Sequence, residues 1–260
     1  MRERPVSARL RSLTSPASFS VTGTTKLLEV SKVRFGTALG SSQERRPPPR
    51  TTVGVETLPE YLTQLASEWP TPGGGSAATM VAAAGAALVA MVGRICSTNP
   101  KYAPQAPLAR ELVARADELR AEFLRARERD EAAFDRVVAA SAMPKGTEME
   151  KGLRREMLET ALHHAAAEPL CSAELALDVL RLAAKSLEIP NKNLVSDIGS
   201  AAEFAAAALN ACAYNVRINH RFMHDIDAIE AQSNALERYE REAGALVAAV
   251  RRGVNALMTK

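Results

Sequence analysis

Apolar residues recur every three or four positions through most of the chain after residue 55, which is the period of an amphipathic helix. Prolines, glycines and capping residues divide this pattern into segments, and no segment alternates as a half-buried strand does. The pattern predicts an all-α, up-and-down bundle. Its helices are expected over residues 58–65, 76–97, 108–141, 147–187 (kinked or split at Pro169), 196–219 or 200–219, and 229–257.

Small side chains supply many of the apolar positions. Alanine, the best helix former, comes in runs, whereas aromatic residues make up 4% of the chain, too few for a typical β-sandwich. The uncharged stretch 77–93 is near the lower length limit of a membrane span, but its Ala and Gly content favours a buried bundle helix. In the last helix, apolar residues recur every seven positions from Ile229 to Leu257, which predicts a packing seam for the bundle or for a partner chain.

Positive charge is concentrated at the start of the chain. Residues 1–50 hold ten of the 33 Lys and Arg but three of the 30 Asp and Glu. This composition predicts a disordered basic leader, which is an arm, a transit-like segment or an over-extended gene start. The helical domain is then residues 51–260, whose mild acidity argues against nucleic-acid binding. Cysteines at 96, 171 and 212 make no disulfide framework and favour a reducing compartment, the cytoplasm, with organelle import left open.

An aspartate interrupts the apolar stripe of the third predicted helix. Asp130 falls between Ala126 and Ala133 on a stripe that also holds Phe123 and Val137. Burial of a carboxylate is costly unless it is paired, and burial raises the pKa toward the range used in acid–base catalysis. A structural ion pair, or a position still in water at the end of the bundle, explains the pattern equally well.

A glycine-rich turn precedes the second predicted helix. Pro72-Gly73-Gly74-Gly75-Ser76 feeds a helix N-terminus, with Ser76 expected as the N-cap, and free N–H groups there suit an anion. No Lys-Ser/Thr pair follows and no strand precedes, so the turn is not a P-loop. The alternative is a flexible turn that only separates two helices.

Polar side chains cluster in two further places. Asn191, Asn193, Ser196 and Asp197 surround a turn, and Asn215 and Asn219 lie one turn apart on a face rich in alanine. Such amides either bind the polar edge of a ligand or cap the backbone of neighbouring helices, which is their commoner use. His220 and His224 have the i, i+4 spacing of a metal pair, but no third ligand follows, and a metal site is not predicted.

Five motifs occur in a fixed order: Pro70-Thr-Pro-Gly-Gly-Gly-Ser-Ala-Ala, Asp130-x-x-Ala-Phe134, Met143-Pro-Lys145, Asn191-x-Asn193-x-x-Ser196-Asp197 and Asn215-Val-x-Ile-Asn219. Over residues 55–225 the chain resembles the formiminotetrahydrofolate cyclodeaminase and methenyltetrahydrofolate cyclohydrolase family. The resemblance implies an all-helical subunit that dimerises and binds tetrahydrofolate, with or without a polyglutamate tail, in a groove near the subunit interface. Residues 1–50 lie outside the resemblance.

The resemblance also implies roles for the motifs. Asp130 matches the family's proposed acid/base aspartate. The glycine-rich turn and Lys145 are expected to meet the folate or its carboxylates, and the amides its pterin edge. The residues expected to bind folate are Gly73, Gly74, Gly75, Ser76, Lys145, Asn191, Asn193, Ser196, Asp197, Asn215 and Asn219. No metal or cofactor is implied, because the folate is the substrate.

The expected reaction joins or opens the one-carbon bridge between N5 and N10. The favoured direction converts 5-formiminotetrahydrofolate to 5,10-methenyltetrahydrofolate and ammonia, with a separate formiminotransferase supplying the substrate. The alternative is hydrolysis of 5,10-methenyltetrahydrofolate to 10-formyltetrahydrofolate. An alternative of another class is a helical dimer that binds folate without catalysis.

Overall fold

A computed structural model describes residues 56–259. Within that range there are six α-helices, two short 3₁₀ turns and no strand, which confirms the all-α prediction. The predicted leader lies outside the described residues. The helices are α1 (Leu58–Leu65), α2 (Gly74–Thr98), α3 (Ala106–Ser141), α4 (Glu148–Ser186), α5 (Val195–His220) and α6 (Ile226–Met258).

Helix α2 lies at the centre of the bundle and packs along α3 and α5. Its 18-residue apolar window has a mean hydropathy of 1.8, which by length and composition also fits a membrane span, and 61% of that window is buried. Small residues bring the helices close: a Cβ on Gly93 would lie 2.9 Å from the carbonyl oxygen of Ala109 on α3. The bundle thus explains the long uncharged stretch as a core helix.

Helix α5 runs antiparallel to α2 and forms the second long contact of the core. Gly85 faces Ala201, and Cys96, near the end of α2, meets the turn before α5. Helix α6 closes the bundle against α4 and α5, burying Leu236 and Val250 of the heptad seam. Within one subunit, that seam packs on the bundle itself.

Two predicted helix starts are wrong. Gly73, not Ser76, is the N-cap of α2, and Ser76 lies buried in the first turn with its hydroxyl bonded to Glu131. Helix α5 begins at Val195 after a 3₁₀ turn, so neither Ser196 nor Ser200 caps it. In the first case a tertiary partner for the hydroxyl outweighs its capping preference. The start predicted for α4 is confirmed: Thr147 is its N-cap and forms a capping box with Glu150.

Helix α4 continues through Pro169 without splitting. Proline has no N–H, so the carbonyl of Ala165, four residues earlier, loses its helical partner. The side-chain Nδ2 of Asn219 on α5 donates to that carbonyl oxygen at 2.8 Å. Asn219 therefore caps the group that Pro169 leaves open, and the helix needs no break there.

Candidate active site

Asp130 lies on α3 where α2 begins, and its stripe neighbours Ala126 and Ala133 are buried. Its carboxylate faces the first turn of α2 so closely that a Cβ on Gly75 would lie 2.5 Å from Oδ1 and 2.6 Å from Oδ2. Any larger residue would collide with the carboxylate. Gly75 therefore provides the space in which this carboxylate sits.

The surroundings of Asp130 raise its pKa from the ordinary 3.8 to about 6. Burial is the largest cause, and the negative charges of Glu131 and Glu168 add to it, while a hydrogen bond from the backbone N–H of Ser76 lowers the pKa. With a pKa near 6, Asp130 is mostly ionised at pH 7 yet returns a proton readily. That combination suits a group that accepts a proton and then donates it.

The N-terminus of α2 was predicted to hold an anion of a ligand. In the structure the backbone N–H of Ser76 bonds the Asp130 carboxylate, so the protein supplies an anion at this helix end itself. The Ser76 side chain is fully buried and faces Glu131. Gly73 is half-buried and Gly74 is exposed, so the outer part of the turn is the part open to a ligand.

Helix α5 contributes the third side of the site. Asn215 Nδ2 lies 3.5 Å from the position that a Cβ on Gly74 would occupy, and it donates to the carbonyl oxygen of Ala211 at 2.8 Å. Burial, together with the charge of Asp130, raises the pKa of the Cys212 thiol to about 12, so this thiol stays protonated at neutral pH. The structure thus brings the glycine-rich turn, Asp130 and Asn215 together.

A buried polar network lies behind Asp130, and sequence reasoning did not find it. Glu131 is 3% exposed and accepts hydrogen bonds from Ser76 Oγ at 2.9 Å and from Arg127 Nε at 3.1 Å. Tyr61 of α1 bonds the same Ser76 hydroxyl at 3.0 Å. The i, i+4 spacing of Arg127 and Glu131 is a sequence signal for the pair, but exposed helix faces show the same spacing.

The turn predicted to bind the pterin lies at the other end of α2. Asn191 is buried, donates through Nδ2 to Cys96 Sγ at 3.4 Å and accepts from the backbone N–H of Asn193 at 3.1 Å. Twenty residues of helix separate Cys96 from Ser76, a distance of about 30 Å. Asn193 and Ser196 are exposed, and Asp197 is half-buried. One subunit does not bring this turn to Asp130.

Two further predicted residues also stand apart from Asp130. Lys145 is exposed in the loop after α3, and the eleven residues from Asp130 to Ser141 span about 16 Å of helix. Asn219 is committed to the backbone of α4, as described above. The role of Lys145 stays a prediction.

The two histidines considered as metal ligands have other partners. His220 Nε2 lies 2.8 Å from Gln232 Oε1, and His224 Nδ1 lies 3.1 Å from Glu159 Oε2. Glu159 also accepts the backbone N–H groups of His224 and Asp225, which fastens the α5–α6 turn to α4. Between residues 56 and 259, no three His, Cys, Asp or Glu side chains are grouped to hold a metal ion.

Comparisons with known proteins identify the family and the fold of this chain. The family model described as formiminotransferase-cyclodeaminase matches residues 57–238. A methenyltetrahydrofolate cyclohydrolase of Methylorubrum extorquens is 36% identical over 193 residues, which cover 74% of this chain and 93% of that relative. The range matched by the family model contains all of the helices described above except residues 239–258 of α6.

Two other similarities concern proteins named for the cyclodeaminase reaction. The crystal structure of a formiminotetrahydrofolate cyclodeaminase from Thermotoga maritima superposes with a TM-score of 0.71 at 27% identity, covering 78% of this chain and 98% of that chain. The formimidoyltransferase-cyclodeaminase of Rattus norvegicus is 28% identical over 169 residues, which cover 65% of this chain. The match spans only 31% of the rat protein.

Proposed function

Because this chain belongs to the formiminotransferase-cyclodeaminase family, we propose that it acts on the one-carbon unit between N5 and N10 of a tetrahydrofolate, as a methenyltetrahydrofolate cyclohydrolase. The observation that carries the chemistry is the Asp130 carboxylate, held against Gly75 and Ser76 with a pKa of about 6. The full-length relative at 36% identity favours the hydrolytic direction over the alternative.

The carboxylate supplies the proton transfers that this hydrolysis needs. Ionised Asp130 takes a proton from water as the water oxygen bonds to the methenyl carbon, which gives a neutral tetrahedral intermediate. The carbon–N5 bond then breaks, N5 takes the proton from Asp130, and the hydroxyl proton leaves to solvent. The product is 10-formyltetrahydrofolate, and Asp130 ends ionised again. A group with a pKa near 6 suits both halves of this cycle.

The open backbone at Gly73 and Gly74, with the Asn215 amide beside it, is the part of the site that we assign to the folate. Glycine lets a ligand approach the backbone without meeting a Cβ. The amide offers a donor and an acceptor to the pterin edge. Lys145 is our candidate for a glutamate carboxylate of the substrate, because it is exposed and at the same end of α3 as Asp130.

A second candidate reaction is the cyclodeaminase, favoured by the Thermotoga maritima structure, 98% of which this chain covers. With the formimino nitrogen protonated, the same carboxylate would accept the N10 proton as N10 attacks the formimino carbon. It would return that proton to the amino group, which leaves as ammonia as the carbon–nitrogen bond breaks and the methenyl cation forms. A formiminotransferase would supply the formimino compound, and the name of the rat relative joins a formimidoyltransferase to the cyclodeaminase.

One assay tests both reactions. The purified chain is given 5,10-methenyltetrahydrofolate, and separately 5-formiminotetrahydrofolate, and the methenyl absorbance is followed against Asp130→Asn. We expect the wild type to consume the methenyl compound and the variant to lose at least about a hundredfold in kcat while still binding folate. Accumulation of the methenyl compound with ammonia release would assign the cyclodeaminase. Folate binding without either reaction would leave a non-catalytic binding protein.

We further propose that the protein is a homodimer formed through the outer face of α2 and α5. Val81, Ile95, Phe204, Tyr214 and Ile218 on this face are between 36% and 71% exposed. The charged residues at its edges are already paired within the chain, as in Glu203 with Arg251 and Arg94 with Asp117. The occupant of such a face is therefore apolar and needs no charge of opposite sign.

The size of the face fits a second copy. Helix α2 is about 37 Å long, and two helices side by side are about 20 Å wide, so the footprint is about 700 Å². A standard interface buries about 800 Å² on each partner. If the two α2 helices run antiparallel, the turn at residues 191–197 of one copy reaches the Asp130 end of the other. That arrangement gives the distant amides a route to the folate.

Sedimentation or light scattering tests the dimer. Phe204→Glu puts a charge at the centre of the face and is expected to give a monomer. Leu124→Glu, which charges an equally exposed apolar residue on α3, is the matched control and should leave the mass unchanged. A Phe204→Glu protein that remains dimeric would contradict this choice of surface.

A further inference from the structure

Ser76 connects two neighbouring carboxylates through different atoms. Its backbone N–H bonds Asp130, and its hydroxyl donates to Glu131 Oε1 at 2.9 Å. A serine hydroxyl has a single hydrogen, so the Tyr61 hydroxyl is the donor in its 3.0 Å contact with Ser76 Oγ. The first turn of α2 is therefore fixed to α3 at one residue, directly beside Gly75.

Glu131 is itself anchored from the other side. Arg127, one turn earlier on α3, donates from Nε to Glu131 Oε1 at 3.1 Å, and its guanidinium lies 4.3 Å from the centre of the Tyr61 ring. Arg127 also pairs with Glu56, just before α1. All four side chains of this network are at most 6% exposed: Tyr61, Ser76, Arg127 and Glu131. A buried network of this kind is rigid only while every member is satisfied.

The stability that this network adds is smaller than its number of bonds suggests. A buried ion pair is weak evidence for stability, since desolvation offsets much of its attraction. The bundle already has an extensive apolar core along α2, α3 and α5. What the network does determine is the position of Ser76 and Gly75 relative to the Asp130 carboxylate, and both contacts to that carboxylate depend on the same turn of helix.

We propose that Glu131 is a positioning residue for the reaction at Asp130: anchored by Arg127, it holds Ser76 so that the first turn of α2 meets the Asp130 carboxylate. The inference deepens the proposed function and rests on it. Glu131 does not touch the substrate in this scheme. It sets the direction of the Asp130 carboxylate through Ser76, and its charge acts on Asp130 at the same time.

The groups facing Asp130 determine how its titration responds. Glu131 on α3 and Glu168 on α4 are the charges that raise its pKa, Arg129 neutralises part of Glu168, and the Cys212 thiol of α5 is uncharged at neutral pH. Removing the Glu131 charge therefore lowers the pKa of Asp130. The Asp130 carboxylate then stays ionised down to a lower pH. The acid limb of the rate profile therefore moves to lower pH as well.

Two substitutions of Glu131 separate its hydrogen bonds from its charge. Glu131→Gln keeps an oxygen that accepts from Ser76 and Arg127, so kcat is expected to stay within about threefold at the optimum while the acid limb moves down. Glu131→Ala removes the bonds as well, and kcat is expected to fall by about tenfold or more with little change in KM. A purely structural residue would alter the melting temperature of both variants without moving the acid limb.

Ser76→Ala provides the second test, because it removes the hydroxyl but leaves the backbone N–H. We expect a loss of about tenfold in kcat. Ser186→Ala is the matched control: it removes another fully buried serine hydroxyl, bonded to the Leu182 carbonyl oxygen far from Asp130, and should leave kcat unchanged. Wild-type kcat in Ser76→Ala would overturn the proposal, as would an equal loss in Glu131→Gln and Glu131→Ala.

A titration of Asp130 in the absence of folate tests the role of Glu131 separately from the proposed enzymatic function. The Asp130 carboxyl is titrated by carbon-13 NMR and assigned by its absence in Asp130→Asn. Its pKa is expected to be lower in Glu131→Gln than in the wild type, and unchanged in the distant Glu203→Gln. An unchanged Asp130 pKa in Glu131→Gln would overturn the proposal. If the Asp130 pKa falls in Glu131→Gln but the wild type converts neither the methenyl nor the formimino compound, the proposed function is rejected. The electrostatic coupling of Glu131 to Asp130 would still hold in that case.

Discussion

Alanine at position 75 is the most direct test of the contact between α2 and Asp130. Gly75 lies in the first turn of a regular helix, where alanine is favoured over glycine by about 0.5–1 kcal/mol. The new Cβ would lie 2.5 Å from Asp130 Oδ1, whereas ordinary contact begins at 3.4 Å. Either the carboxylate or the helix end must therefore move by about 0.9 Å.

The rate should suffer more than the fold. Overpacking of this size costs about 1–3 kcal/mol, part of which the better helix propensity of alanine offsets. A misplacement of about 1 Å in a catalytic group costs about a hundredfold in rate, or about 2.7 kcal/mol on the barrier. Gly75→Ala is thus expected to fold with a modest loss of stability and to lose about two orders of magnitude in kcat.

The assay compares kcat for methenyltetrahydrofolate hydrolysis with thermal unfolding in the same preparations. Gly152→Ala on α4 is the matched control, because nothing lies within 4 Å of the added Cβ. It should keep full activity and gain about 0.5–1 kcal/mol. If Gly75→Ala kept kcat within about threefold, or 0.7 kcal/mol, the carboxylate would not be held by this contact and the reasoning would fail.

Three other outcomes follow from the same contacts. A rise in the Asp130 pKa from 3.8 to about 6 means that ionised Asp130 costs up to about 3 kcal/mol of folding stability at pH 7. Asp130→Asn should therefore raise the stability measured in urea at pH 7. It should have no such effect below about pH 3, where the acid is protonated in both the folded and the unfolded state. Asn219→Ala leaves the carbonyl of Ala165 unpaired and should lower the free energy of unfolding by about 1–3 kcal/mol. An unchanged free energy of unfolding would mean that water bonds this carbonyl in place of the Asn219 amide. If residues 191–197 of one subunit complete the site of the other, two inactive variants should restore activity together. Asp130→Asn subunits and subunits of the double variant Asn193→Ala/Asp197→Ala are dissociated, mixed and allowed to reassociate. A mixture that stayed inactive would place the 191–197 turn outside the site.

The acid limb of kcat/KM gives a fourth check. Since Asp130 acts first as a base, activity should rise with pH through about 6, the pKa of its carboxyl. Asp130→Asn should abolish that limb together with turnover. If the residual activity of Asp130→Asn still rose with pH through about 6, the acid limb would belong to a group other than Asp130.

Local patterns were enough to predict the helices and to identify one carboxylate of the candidate site. The helical period and the capping box at Thr147 indicated the elements, because amphipathic spacing and capping depend on residues a few positions apart. The same period identified Asp130 as a carboxylate on a buried stripe. Its neighbour Glu131 lies off that stripe, and its burial arises from α1 and α2, which no local pattern describes.

The choice of which polar residues share a site depends on how the helices pack. Pairing of antiparallel α2 and α5 places Asn215 beside the glycine-rich turn and sends Asn191 to the opposite end, about 30 Å away. It also gives Asn219 to the carbonyl freed by Pro169 rather than to a ligand. The fold class and the presence of a carboxylate on a buried stripe could be predicted from the amino-acid sequence, since both follow from short-range periodicity. The size of the rise in the Asp130 pKa and the hydrogen-bond partners of each amide depend on helices that lie far apart in the chain. Only the packing of the bundle brings these helices together.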